Sequence, residues 1–319
     1  MNKAGLAIPV LALLLFLAQG CTQHKPAGTE QQYSRFNGYK GEVDVDADAG
    51  LEPIMRQEKE VFDFLYDSVA LNLHYKTEPG MFTDFTGHKA SALVLARQLS
   101  EDEIKHLREQ DTIYIRQLVV AYDAVALVGN PRFVDTALSI ALLKEYFNPT
   151  AKATHAPKMV FAQGSSLVKY MLDTLGYNQK ISGNVFAEKS VEEVINYVAQ
   201  NTDAIGFIPF NFLSDEYDDS AQAAYKRIKV LSLRAKNEKG ETIRASANQS
   251  DIAAGYYPLT RNITVVSRFT YSDNLEWLFT NFLYQEKGSK IFLKAGLVPA
   301  KMTEREVIVN TDGYKAVNR

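Results

Sequence analysis

Hydrophobic and polar positions repeat with two different periods along this chain, and the period switches many times. Val43, Val45 and Ala47 alternate with polar residues, which predicts a strand over Gly41–Asp48. Pro53 stands near the start of a helical stretch carrying Ile54, Val61, Phe62 and Leu65, where its fixed φ suits a first turn. Strands are expected over Val69–Tyr75 and Ala92–Ala96. Ser100 followed three places on by Glu103 is a capping box that opens a short polar helix to about Arg108. Ile113–Val128 is apolar and β-branched with Asp123 inside it, so it reads as one spanning strand or a pair of strands. Thr136–Tyr146 is predicted as a helix and Met159–Ala162 as a strand. Ser166–Leu175 places Leu167, Val168, Met171, Leu172 and Leu175 on one helical face.

The second half continues in the same way. Ser190 and Glu193 form another capping box ahead of Val191, Val194, Ile195 and Val198 at helical spacing. Ala204–Phe210, Ile228–Leu233 and Ile263–Val266 are expected strands. One long helix is expected from Leu275 to Lys294, stopping at Gly296. Asp215–Asp219 reads as a solvated acidic loop. Strands interleaved with helices predict an α/β fold, with a parallel or mixed sheet covered on both faces.

Ahead of this body the pattern is different. Gly5–Leu17 is an apolar run behind Lys3, too short to span a bilayer comfortably, since spanning takes about 20 residues. A basic start, a short apolar core and small residues before a break read as a secretory signal over residues 1–20. Leu17-Ala18-Gln19-Gly20-Cys21 resembles a bacterial lipobox, and Cys21 is the only cysteine of the chain. Lipidation of Cys21 is therefore expected, with acyl chains on a membrane surface and residues 21–40 as a polar tether. The implied location is the cell envelope, on its periplasmic or extracellular side.

Composition narrows the function. The 319 residues are 46% hydrophobic and 23% charged, with a formal net charge of −3. That is a folded body with no basic excess for a nucleic-acid backbone. A single cysteine excludes an internal disulfide and a thiolate zinc cage. The five histidines, at 24, 74, 88, 106 and 155, do not pair at metal spacing. No phosphate loop, nucleophile elbow or dinucleotide fingerprint occurs, so no cofactor, metal or catalytic residue is expected. Asp44-Val45-Asp46-Ala47-Asp48 begins like a calcium loop, but Ala49 stands where glycine is needed and Met55 where the closing glutamate belongs. Those acidic residues are expected on an exposed strand face.

Met159–Ser166 ends a strand with glycine and two hydroxyls and then enters a helix. First-turn amides have no partner within a helix and carry about half a positive charge, so Gly164, Ser165 and Ser166 are candidates to hold an oxyanion. An ordinary serine N-cap is the competing reading. The surroundings add a resemblance. Leu118–Pro131, Leu93–Ser100, Asp203–Ile208, Tyr257–Arg261, Gly288–Ile291 and Lys294–Ala300 together are similar, in order and spacing, to the phosphate-type ABC transporter substrate-binding proteins.

The resemblance implies a two-lobe clamshell of type II, with mixed sheets, helices on both faces and two interlobe crossovers. Its lobes would be residues 41–122 with 256–319, and residues 123–255. It implies phosphate or another small oxyanion in the cleft, an ABC permease as partner, a monomer and no enzyme activity. Site residues would be Gly50, Leu51, Gly164, Ser165 and Ser166, with Arg97 as counter-charge unless it pairs with Asp102 or Glu103 instead. The chain departs from the family pattern at Ala49, Ala96, Phe161–Ala162 and Leu167, where side-chain contacts to phosphate are usual. Two rival readings follow: a clamshell lipoprotein that has lost phosphate and serves as sensor or adaptor, and a hydrolase, for which no histidine base lies beside Ser165 or Ser166.

Overall fold

The computed structural model describes residues 39–111, 114–134, 138–148, 156–177, 183–268 and 274–301. The signal segment, Cys21, most of the tether and Thr136 lie outside the described residues. Strand β1 (Gly41–Asp48) leads through a 3-10 turn (Ala49–Leu51) into α1 (Glu52–Leu65). β2 (Val69–Lys76), α2 (Glu78–Thr86), β3 (Ala92–Leu95) and α3 (Glu101–Asp111) follow. β1 pairs in parallel with β2 on one side and β3 on the other.

β4 (Ile115–Gly129) is one uninterrupted strand of 15 residues, the single-strand form of the two expected for this run. It leads to α4 (Ile140–Phe147), β5 (Lys158–Ala162), α5 (Ser166–Leu175), β6 (Val185–Glu188), α6 (Val191–Gln200) and β7 (Ala204–Pro209). A 3-10 turn (Phe210–Phe212) and α7 (Asp219–Tyr225) come next, then β8 (Lys229–Val230), β9 (Leu233–Lys236), β10 (Thr242–Ala245) and α8 (Gln249–Ala253). The chain returns along β11 (Thr260–Arg268) and closes with α9 (Leu275–Tyr284), α10 (Glu286–Lys294) and β12 (Val298–Pro299).

The main sheet runs β2-β1-β3-β11-β4-β7-β5-β6. β4 joins its two halves. Residues up to Ala124 pair with β11, and Val125–Gly129 pair antiparallel with β7. Each half carries its own aromatic centre. Phe62 meets Phe279 and Phe282 edge-on at 5.3 Å in the first half. Phe161 stacks on Phe207 at 4.6 Å in the second, with Phe147 edge-on to both. Such pairs add about 0.5–1.5 kcal/mol each beyond burial.

Three expectations are corrected. The long final helix is two helices: Gln285 takes an extended ψ of 178°, and Gly288 lies so close to the preceding turn that a Cβ would stand 2.5 Å from the Phe282 carbonyl oxygen. Ile228–Leu233 divides into β8 and β9, with Leu231 and Ser232 between them. The acidic residues of β1 are not all exposed. Because β1 is an inner strand covered on both faces, Asp46 and Asp48 are buried, and Asp46 accepts two bonds from Lys76 at 2.8 and 3.0 Å.

α1 also buries a charge-bearing group. Glu58 is fully buried and neither carboxyl oxygen has a partner, so burial holds its pKa well above the usual range. A carboxyl raised in the folded state costs stability as pH rises above its unfolded value, because only the unfolded chain then gives up the proton. Glu58→Met should therefore raise the stability at pH 7 by about 1–3 kcal/mol. Thermal melts should show that gain shrinking toward pH 4.

Candidate functional site

The register of β4 against β11 sets Asp123 directly across from Arg261. Residues opposite one another on an antiparallel pair share a face, so the two side chains meet. Arg261 Nη2 donates to Asp123 Oδ2 at 2.7 Å, with both side chains almost fully buried. Asn211, in the 3-10 turn after β7, closes the arrangement. Its backbone N–H donates to Asp123 Oδ1 and its Nδ2 to Asp123 Oδ2, each at 3.1 Å. The same Nδ2 donates to the Gly50 carbonyl at 2.8 Å, tying the second half of the sheet to the start of α1.

The two glycine-led helix entrances meet at this knot. Gly50 lies beside Arg261: a Cβ there would be 3.8 Å from Nη2 and 3.2 Å from Pro209 Cγ. On the other side Arg261 Nη1 reaches Ser166 Oγ at 3.5 Å. Gly164 has a φ of +69°, and a Cβ on it would stand 2.9 Å from Thr77 Cγ2, so the two halves approach closely only because it is glycine.

The donors at the two entrances differ. The Gly50 N–H is taken by Asp48 Oδ1 at 2.7 Å. Leu51 is wholly buried. Ser165 caps α5 by accepting from the Leu167 N–H at 3.2 Å, and its own N–H donates to the Ala162 carbonyl. Ser166 is the first helical residue, so its N–H has no carbonyl within the helix to reach.

Arg97 sits elsewhere, in an ion cluster. Its Nε and Nη2 donate to Glu78, its Nη1 and Nη2 to Glu103, and its Nη1 also to the Gln98 carbonyl. A guanidinium has five N–H groups, and all are engaged here. Pairing with Glu103 thus leaves Arg97 no donor to offer as counter-charge. Burial alone would lower the Arg97 pKa, but the bonds it donates to Glu103 and Glu78 raise it overall. The Ser100–Glu103 capping box forms in both directions, at 2.8 and 3.2 Å.

Asp48, Asn211 and Arg261 were not among the expected site residues. The signal was a lone charge inside an apolar strand: Asp123 within Leu118–Gly129, and Arg261 just ahead of Ile263–Val266. Buried charges need partners, so two such charges on separate strands point at one another. Six buried side-chain polar atoms among the described residues lack a partner, and Asp48 Oδ2, Asn211 Oδ1 and Arg261 Nε are three of them. An arginine with unspent donors, an acceptor aspartate and a helix entrance thus share one spot.

The model of the PBP superfamily domain matches residues 37–284. The chain belongs to that family. Solved structures share the PBP fold. An ABC-type phosphate transport receptor from Vibrio cholerae is 17% identical with a TM-score of 0.63, covering 81% of this chain and all of its own. PstS from Borrelia burgdorferi is also 17% identical, with a TM-score of 0.52, covering 82% of this chain and all of its own. No match was found among curated proteins. The mixed α/β fold of the periplasmic-binding-protein type, which the resemblance implied, is the observed fold of this PBP domain.

Glu103 provides a test of the cluster beside the cleft. The hydrogen bond from Arg97 lowers its pKa to about 2 against burial, helped by Ser100. A depressed carboxylate contributes stability above its unfolded value, and that contribution is lost as pH falls through about 2. An NMR titration should place the Glu103 midpoint near 2 in the native protein and return it toward 4.5 in Arg97→Met.

Proposed function

We propose that this chain is a solute-binding protein of the cell envelope. In this reading a lipid on Cys21 anchors it, phosphate or a similar protonated oxyanion binds between two lobes, and an ABC permease receives the solute. The lobes are residues 41–122 with 256–319, and residues 123–255, hinged where β4 and β11 cross. Closure around the solute distinguishes the loaded protein from the empty one, with no covalent step.

One observation supports the ligand class: the buried Arg261 Nε has no partner, next to Ser166 at the entrance of α5. A buried guanidinium donor left unpaired costs about 1–3 kcal/mol or more, which an oxyanion would relieve. Ser166 adds its hydroxyl and its first-turn N–H, and Gly164 and Ser165 form the edge of the entrance. The counter-charge falls to Arg261 rather than Arg97. Asp48 Oδ2 is also buried and unpaired. A carboxylate oxygen accepts but does not donate, so it suits an oxyanion that still carries a proton. Hydrogen phosphate has one at neutral pH and sulfate does not. Gly50 and Leu51 frame the opposite side without an N–H from Gly50.

The rival reading also has an observation in its favour. Asp48 Oδ1 on the Gly50 N–H and Asp123 on Arg261 already fill two places where a ligand oxyanion would stand. That favours a clamshell lipoprotein that has lost phosphate and acts as sensor or adaptor.

Calorimetry on purified residues 22–319 should show heat with phosphate and none with sulfate. Ser165→Ala with Ser166→Ala should weaken phosphate about tenfold, equivalent to about 1.4 kcal/mol. A folded protein silent toward phosphate would reject the oxyanion reading in favour of the rival.

A further inference from the structure

A cleft of about 820 Å³ opens between the start of α2 and the face of α5, and its lining includes Ser166, whose Oγ lies 3.5 Å from Arg261 Nη1 behind it. That volume lies among sites that hold organic ligands, about 300–1,000 Å³. One water takes about 30 Å³, so a bare tetrahedral ion would leave most of the cleft empty. The cleft reaches Ser165 and Ser166 at one end and Leu172 and Tyr177 at the other. Along α5, Ser166 and Leu172 are about 9 Å apart, the length of one ring or short chain beyond a phosphate group.

The walls define the rest of the ligand. Val168 and Leu172, one turn apart on α5, face Pro79 and the Thr77 end of α2 across the opening. Tyr177 lends its ring, since its hydroxyl donates to the Lys144 carbonyl at 2.7 Å. The charges at the rim are paired with each other. Glu78 is held by Arg97 at 2.6 Å, and Lys169 lies 4.0 Å from Glu78 and 3.8 Å from Asp173. Beyond the helix entrance the cleft therefore offers carbon surface and no unpaired charge for a second ionic group.

We infer that the solute is a phosphate monoester, with its phosphate on Arg261 and Ser166 and a compact apolar or aromatic body along Val168 and Leu172. This rests on the oxyanion reading above and goes beyond it, since inorganic phosphate uses none of the apolar wall. Phenyl phosphate is a suitable probe, titrated beside inorganic phosphate into residues 22–319 at about pH 5, below the monoester's second pKa of about 6, so that both ligands carry the proton that Asp48 Oδ2 would accept. Phenyl phosphate should bind at least tenfold more tightly than inorganic phosphate. Val168→Trp, which fills the cleft, should bring phenyl phosphate back to the level of inorganic phosphate and leave inorganic phosphate within about twofold. Pro79→Trp fills it from the opposite wall and serves if the first variant does not fold. Inorganic phosphate binding as tightly as phenyl phosphate would overturn the monoester while the oxyanion reading stands. Absence of binding by both would overturn the two together.

Discussion

The buried pair of Arg261 and Asp123 is the constraint on which the rest of this structure depends. It forms because two strands that cross between the halves of the sheet place these residues in register. Taking two charges out of water is expensive, and the cost is offset only when each charge is well bonded. Asp123 meets that condition through Arg261 and two bonds from Asn211. Arg261 does not, because its Nε is unpaired. The same Asn211 ties the pair to Gly50, so the arginine, both helix entrances and the crossover strands are held as one unit.

Charge is distributed unevenly around that unit. Asp48 and Glu52 stand at the entrance of α1, where carboxylates favour the helix dipole and oppose a second anion. The entrance of α5 has only serine hydroxyls and the arginine. In the proposed oxyanion reading an anion would therefore sit on the α5 side, with Asp48 as an acceptor. The Arg97 cluster is a separate device. It neutralises Glu78 and Glu103 internally and leaves the adjoining cleft wall largely apolar.

Much of the fold was legible in the sequence because local signals and packing agree. Period-two and helical spacings located most of the long strands and helices, but not α2, β6, α7, β10, α8 or β12, which are short or lack a clear apolar period. Both capping serines sit at their helix starts, although Glu193 reaches back to the Lys189 N–H rather than to that of Ser190. The break at Gln285 was not legible, since Leu275–Lys294 keeps helical spacing across it and only the close approach at Gly288 reveals it. At the site, the hydroxyls of Ser165 and Ser166 stood out locally. Arg261 and Asn211 did not, because their role depends on partners 138 and 161 residues away. For Arg97 the nearby Glu103 was legible as a partner and is one, whereas Glu78, which α2 brings to it, was not.

The account turns on whether Arg261 holds an anion with its unspent donor. A crystal structure grown with phosphate at neutral pH measures this directly. The account predicts tetrahedral density within hydrogen-bond distance of Arg261 Nε and Ser166 Oγ, with one oxygen facing Asp48 Oδ2. An unchanged knot of Asp48, Asp123, Asn211 and Arg261, with no ion beside the arginine, would contradict it.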